Sequence, residues 1–355
     1  MLAALNLEQP DRVPLFEEEV STKVLDLLLG TNAGQFEYWG ASLLRAKSKI
    51  GLDGTNIAPA CKMSPEFLTP IDEDRAINEW GWIVSREVSC GFEALSEFYL
   101  GGYLDTPEKY DGFPKPDPYD PWRIENWRAA KKVAGDRIFL IPFVGGIFDL
   151  RVHGIGLKNY LLYMRREPQF IERVLRDDVD FCIELSKILI DEGAEAVETF
   201  GDMGETSGPY FSPTMARKFF YPRMREFADA VHKRGALWVL HSDGNVWQLV
   251  DMFIDAGVDA LNPLQPTAGM RLDLLKERWG QSLCLMGNID SSWTLPYGTV
   301  EDVAREVENA IKTAAPGGGY VMMSGVGVID GKCKPDNFGT QIQTTKKYGV
   351  YPLSS

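Results

Sequence analysis

The stretch Leu237-Trp238-Val239-Leu240-His241-Ser242-Asp243-Gly244-Asn245 holds the groups best suited to chemistry in this chain. An apolar run ends in an imidazole, a hydroxyl and a carboxylate, and Gly-Asn then opens an amphipathic segment, Val246 to Ala256. This pattern predicts a buried strand delivering side chains at its C-terminal tip, where β/α folds house their reactive groups. The chain has only three histidines, and one stands here. His241 and Asp243 are two apart, so in extended backbone they leave on the same face. With a further carboxylate such as Glu198, the pair is a candidate for zinc or another divalent ion, one position staying open for substrate. The plainer alternative makes His241 a hydrogen-bonded strand residue and Asp243 the cap of the helix at Asn245.

The elements that must position these groups form a string of βα units. Strands are predicted at Arg137–Phe143, Ala194–Thr199, Leu237–His241, Val258–Asn262, Ser282–Met286 and Tyr320–Ser324, each followed by a helical pattern. Ser212-Pro213 has the form of an N-cap and first helical residue, Pro222 should kink the helix that follows, and Thr299 with Asp302 resembles a capping box. Two earlier strands, Val13–Phe16 and Asp53–Ile57, bring the count to eight and predict one α/β domain, a (β/α)8 TIM barrel spanning 1–355. An open doubly wound sheet is the alternative, but no Gly-x-Gly-x-x-Gly opens a helix after the first strand. From about residue 60 to 135 the rhythm breaks. That region, rich in Pro, Gly and aromatics, includes Glu79–Val84, which reads as a hairpin strand, and is expected to be an insertion over one barrel mouth, without a core of its own.

In a barrel the strand tips converge. They present Glu17 to Glu19, Asn56, Glu198 with Asp202, His241 with Asp243, Asn262 with Gln265, Asn288 with Asp290, and Ser324. Glu17 and Glu18 are candidates for the substrate pocket or for a solvated run. Asn262 and Gln265 are candidate substrate contacts, and Trp80 and Trp82 could stack on a ligand from the insertion. Trp39 and Trp247 read as core or interface, and Cys333 as structural.

The chain has 355 residues, 45% of them hydrophobic, and a formal charge of −14. Such a surface repels phosphates, which excludes nucleic acid and anionic membranes as partners and favours neutral or cationic substrates. No apolar run is long enough for a membrane span, and the N-terminus lacks the form of a secretory signal. Five scattered cysteines (Cys61, Cys90, Cys182, Cys284, Cys333) form no Cys-x-x-Cys pair, which fits a reducing cytoplasm.

Several segments together resemble the uroporphyrinogen decarboxylase superfamily: Asp11-Arg12-Val13-Pro14, Glu79-Trp80-Gly81, Gly201-Asp202-Met203-Gly204 with Ser212-Pro213, Leu240-His241-Ser242-Asp243-Gly244, the run Gly257 to Gln265, and Gly287-Asn288-Ile289-Asp290 with Gly298-Thr299. The resemblance covers most of the chain in order and implies a (β/α)8 barrel. It also implies one of two chemistries: decarboxylation of uroporphyrinogen, or methyl transfer between a small substrate and a corrinoid protein, often with zinc. The decarboxylase branch pairs its substrate carboxylates with an arginine-rich N-terminal segment. Here the matching stretch is Phe16-Glu17-Glu18-Glu19, and Ala60 falls where that branch carries its catalytic aspartate. Thiol-methylating relatives show His-x-Cys-Gly and a later cysteine; here Asp243 and Val326 stand in those places.

These departures from the family pattern imply either a harder nitrogen and oxygen site built on His241, Asp243 and Glu198 or a site without metal. The resemblance implies a methyl donor, with a methoxylated aromatic favoured over a quaternary amine, and a cobamide carried on a separate corrinoid protein. Asp202, Glu198 or His241 would serve the leaving oxygen, the carboxylic acids as proton donors. Uroporphyrinogen decarboxylation and a non-catalytic small-molecule binding role are the alternatives.

Overall fold

Apolar alternation along the predicted strands builds a parallel sheet. The structure, a computed structural model, describes residues 1–30, 41–86 and 99–353. Seven strands run in parallel order: β1 (Gly54–Ile57), β2 (Phe139–Gly146), β3 (Ala196–Phe200), β4 (Leu237–His241), β5 (Ala260–Asn262), β6 (Cys284–Ile289) and β7 (Tyr320–Ser324). The segment 13–16 bridges both edges of this sheet, Leu15 to Met322 of β7 and Phe16 to Gly54 of β1. The Phe16 N–H donates to the Met322 carbonyl (3.0 Å), and the Gly54 N–H to that of Leu15 (3.1 Å). The result is a TIM-barrel-like α/β ring.

Period-two alternation sends every second strand residue inward. Phe16, Ile141, Ala196, Val239, Ala260, Met286 and Val321 form one interior cluster, closed at the N-terminal end by Ala4 and Leu5. Residues two further along β3, β4 and β5 are Glu198, His241 and Asn262, all buried. The barrel interior thus changes from hydrocarbon to polar toward the strand tips, with Glu198 in register with Val239 and, one layer further out, His241 in register with Asn262.

Helices cover the outside, and their caps follow the sequence. The Ser212 hydroxyl accepts from the Met215 N–H, and Thr299 with Asp302 forms the full capping box. Around Pro222 the kink is a break: one helix ends at Phe219 and the next begins at Tyr221. Ahead of Val250–Ala256 lies a short 3-10 turn, Trp247–Leu249, in place of one continuous helix.

The crossover from β1 to β2 differs from the expectation. It contains a four-stranded antiparallel sheet, Thr69–Pro70, Arg75–Ile77, Trp82–Ser85 and Tyr99–Gly102. Its core is buried: the Trp80 indole donates to the Ala60 carbonyl (3.1 Å) and that of Trp82 to the Leu150 carbonyl (2.6 Å). The helix Pro121–Ala134, included in the predicted insertion, packs on β2 and belongs to the outer ring. The expected hairpin strand at Glu79–Val84 overlaps Trp82–Ser85; the other strands, of two to four residues, carry too little periodicity to be read from sequence. Trp39 and Cys90 lie outside the described residues. The four described cysteines are buried and unpaired.

Candidate functional site

The tip of β4 places the His241 ring inside the mouth. Phe200, at the tip of β3, stacks on it, with ring centroids 4.3 Å apart. Glu18 Oε1 lies 2.7 Å from Nδ1, so Nδ1 carries the proton to the carboxylate and Nε2 faces the other way. On that side stand Asp202 Oδ1 at 3.5 Å and Asp243 Oδ2 at 3.9 Å. One ligand atom from each of Asp202, His241 and Asp243 lies within 4.8 Å of the others. Carboxylate–imidazole pairing of this kind fixes tautomer and ring orientation in metal centres.

The loops around this cluster are tied down. Asp202 accepts the Asp243 N–H at 2.9 Å, and the Ser242 hydroxyl accepts that of Met203 at 3.2 Å. Gly244 adopts φ +80°, and a β-carbon there would lie 2.5 Å from the Gly204 carbonyl oxygen, so the turn requires glycine. Gln265 accepts the Gly244 N–H at 2.9 Å and holds the turn. Gly327, at φ +71°, leaves room for the Glu18 carboxylate, which a β-carbon would approach to 2.7 Å.

The electrostatics are those of acids gathered faster than cations. Burial, then repulsion from Asp202 and Glu18, pushes Asp243 up to about 8 against the pull of His241. Burial and Asp149 raise Asp202. Burial opposes charge on His241, yet Glu18, Asp243 and Asp202 hold its pKa well above the ordinary value. Asp243 Oδ1 is buried with no hydrogen-bond partner. Three donors, one imidazole nitrogen and two carboxylates, together with an orphaned carboxylate oxygen, fit a divalent cation.

Several sequence candidates lie elsewhere. Glu198 was expected as a metal ligand. It sits one layer deeper, wholly buried, where Asn56 Nδ2 (3.0 Å) and Asn262 Nδ2 (2.8 Å) occupy its two oxygens. Asp202, in the loop beyond the tip, takes its place beside His241. Burial and the nearby Glu18 push Glu198 up to about 8. Glu17, expected in the pocket, is also wholly buried. It accepts from the Ser324 N–H (2.9 Å), the Ser324 hydroxyl (2.6 Å) and Gln341 (3.0 Å), and so latches the tip of β7. The next residue, Glu18, is the one that reaches the histidine. Trp80 and Trp82 are 1% and 5% exposed and have no free face for a ligand. Asn245, not Asp243, accepts the N–H of Trp247 at the following turn (3.2 Å). Burial pushes the Cys333 thiol up to about 12, which leaves it unreactive at neutral pH.

Two residues at the site carried no sequence signal. Asp149 opens the helix Asp149–Ile155 after β2 and is 8% exposed. His153, one turn on, has its Nδ1 3.1 Å from the Asp149 carboxylate. A strand tip followed by Asp-x-x-x-His in a helix would have been the cue.

Fold and site define a barrel protein with a carboxylate–histidine centre at the C-terminal mouth of its strands. A sequence profile of the family uroporphyrinogen decarboxylase (URO-D) matches residues 92–348, and the chain belongs to that family. The uroporphyrinogen decarboxylase of Chlorobaculum tepidum is 30% identical over 204 residues, 52% of this chain and 52% of that protein. The methylcobamide:CoM methyltransferase MtaA of Methanosarcina barkeri is 24% identical over 191 residues, 52% of this chain and 54% of that protein. The chain spans about half the length of the curated relatives it matches. Among solved structures, a methyltransferase from Methanosarcina mazei superposes with TM-score 0.68 over 98% of this chain and 97% of its own, at 18% identity, a likeness of fold.

Proposed function

We propose that this chain moves a methyl group from a small methylated substrate to the corrinoid of a separate protein, and that the donor is a methoxylated aromatic. The observation that carries the proposal is the Glu18–His241 pair with Nε2 turned toward Asp202 and Asp243. His241, Asp202 and Asp243 would hold zinc, with Glu18 orienting the imidazole; Glu198 supports from the layer below through Asn262. Bound there, such an ion supplies Lewis acidity at an ether oxygen. The related methylcobamide:CoM methyltransferase and the methyltransferase fold are consistent with methyl transfer.

The protein's own part is to bind and orient. Phe200 backs the imidazole, and Tyr210 stacks near Phe148, so rings line the mouth where a methoxyarene would lie. We place the small antiparallel sheet as a cover on one side of this mouth. The cobamide would arrive on its partner, and a reducing cytoplasm suits the buried free thiols. No helix among the described residues is long and apolar enough to cross a membrane.

Uroporphyrinogen decarboxylation is the less favoured alternative. Glu18, Asp149, Asp202 and Asp243 gather around the two histidines, and none of these groups offers a polycarboxylate substrate a guanidinium to pair with. The deciding experiment combines metal analysis of tag-free protein with a methyl-transfer assay using reduced corrinoid protein and a methoxyarene panel. One zinc per chain, lost together with transfer in His241→Ala, is expected. Turnover of uroporphyrinogen without corrinoid, or full metal content and transfer in His241→Ala, overturns the proposal.

A further inference from the structure

We propose that His153, oriented by Asp149, presents its Nε2–H to the substrate oxygen in this same mouth and hands it the proton that lets the methyl group leave. The inference rests on the demethylation proposed above and adds a residue that no motif pointed to.

Backbone geometry brings the pair to the site. The Ile147 N–H donates to the Phe200 carbonyl (3.2 Å), so the helix Asp149–Ile155 starts against the tip of β3. Phe200 is the residue whose ring backs His241. Asp149 and His153 are four apart and share a helix face. His153 Nδ1 is 2.9 Å from the Asp149 carbonyl oxygen and 3.1 Å from its carboxylate. Nδ1–H is thereby committed, and Nε2 is left for another group.

The ring is also held from the side. Trp82 packs on it at 4.8 Å and Tyr99 meets it edge-on at 5.2 Å, both from the small antiparallel sheet. The Tyr99 hydroxyl donates to the His153 carbonyl at 2.8 Å. The expected stacking role of Trp82 is thus spent on a histidine instead of a ligand. Although clamped, the His153 side chain keeps 38% of its surface in solvent, much as Asp202 (40%) and Asp243 (36%) do.

The charges that face the ring are carboxylates, Asp149 from its own helix and Asp202 from the loop after β3. Burial works against a charged ring, but Asp149 and then Asp202 raise it to about 9. At neutral pH both nitrogens carry hydrogen, and Nε2–H is a donor. The other acids are less suited: Glu198 is enclosed by two amides, and Asp202 stands beside His241.

In the step, the methyl C–O bond breaks and its electron pair stays on oxygen. The reduced corrinoid of the partner is the two-electron nucleophile that forms the new bond to the methyl carbon. The proton passes from His153 Nε2 to the oxygen, giving a phenol. The neutral imidazole then regains a proton from solvent.

The test uses the metal-loaded chain and His153→Gln, with melting temperature and metal content checked in both. On methyl ethers of ordinary phenols the variant should lose about 10²- to 10⁴-fold in kcat, but only about 5-fold or less on the ether of an acidic nitrophenol, whose leaving group needs no proton. Asp149→Asn keeps the ring and should show the same selectivity, more weakly. Without corrinoid, 4-nitrophenolate binding followed by absorbance should weaken about tenfold in His153→Gln, the loss of one charge-assisted hydrogen bond. An equal loss on every ether, or unchanged phenolate binding, overturns the proposal. Weaker phenolate binding in the variant, with no ether turned over by the wild type, supports His153 and overturns the methyl-transfer proposal alone.

Discussion

At the scale of single residues, the site is a contest between burial and charge. Glu18 and His241 are 223 positions apart, and their 2.7 Å contact is what makes Nε2, not Nδ1, the outward nitrogen. Glu18→Gln keeps the shape but removes the charge that anchors the imidazole. Metal affinity should fall about 10- to 100-fold, with the melting curve nearly unmoved, as for other carboxylates behind metal-bound histidines. Calorimetric zinc titration of the two proteins checks this, and equal affinities would remove Glu18 from the centre. The strand-tip pattern named His241 and Asp243 as a pair in the sequence, and Asp202 only as a candidate acid, with Glu198 in the place Asp202 takes beside His241. The pairing of Glu18 with His241 was not legible, because nothing in either segment encodes a partner so distant. The Glu17 latch was equally hidden: it depends on Ser324 and Gln341, 307 and 324 positions away.

At the scale of elements, apolar runs bounded by turns were read well, and short or broken pieces were not. Leu237–His241 and Tyr320–Ser324 have the predicted bounds to the residue. Each is a run of five with glycine near its ends, a buried strand by length and composition. Of the four-stranded sheet only the hairpin strand at Glu79–Val84 was read, overlapping Trp82–Ser85; the other strands gain stability from docking, where Trp80 and Trp82 bury their indoles on the barrel side and the Leu104 N–H reaches the Gly154 carbonyl (2.7 Å). Helix ends were more legible, since caps are local. The box at Thr299 satisfies the N–H of Asp302 and its own N–H reciprocally. Thr299→Ala should destabilise the protein by about 1 kcal/mol. Urea denaturation gives the figure, and a midpoint equal to wild type would show the helix Val300–Ala314 held by packing alone.

At the scale of the whole molecule, the formal charge is −14, and at the mouth the carboxyl groups of Glu18, Asp149, Asp202 and Asp243 outnumber the two histidines they surround. Away from it, His232 and Asp259 tie a helix to β4 and β5: Asp259 accepts from His232 Nε2 (2.8 Å) and from the Trp238 N–H (2.7 Å). The hydrogen bond to Asp259 raises the His232 pKa above 6.5 against partial burial. A raised histidine pKa contributes stability that is full below the unfolded value and lost as pH rises through the folded one. The melting-temperature gap between wild type and His232→Gln should therefore be widest below pH 6.5 and shrink above it; a gap independent of pH would contradict this assignment. The closure of the ring by residues 13–16 has a consequence in time. Leu15 meets Met322 across some 300 residues, so on a ribosome the first strand waits until nearly every other has been made. Until then the nascent sheet has two open edges, and Glu18 has no histidine to hold. Folding of such a chain is governed by its most distant contact, and the carboxylate–histidine centre is assembled by the event that removes those edges.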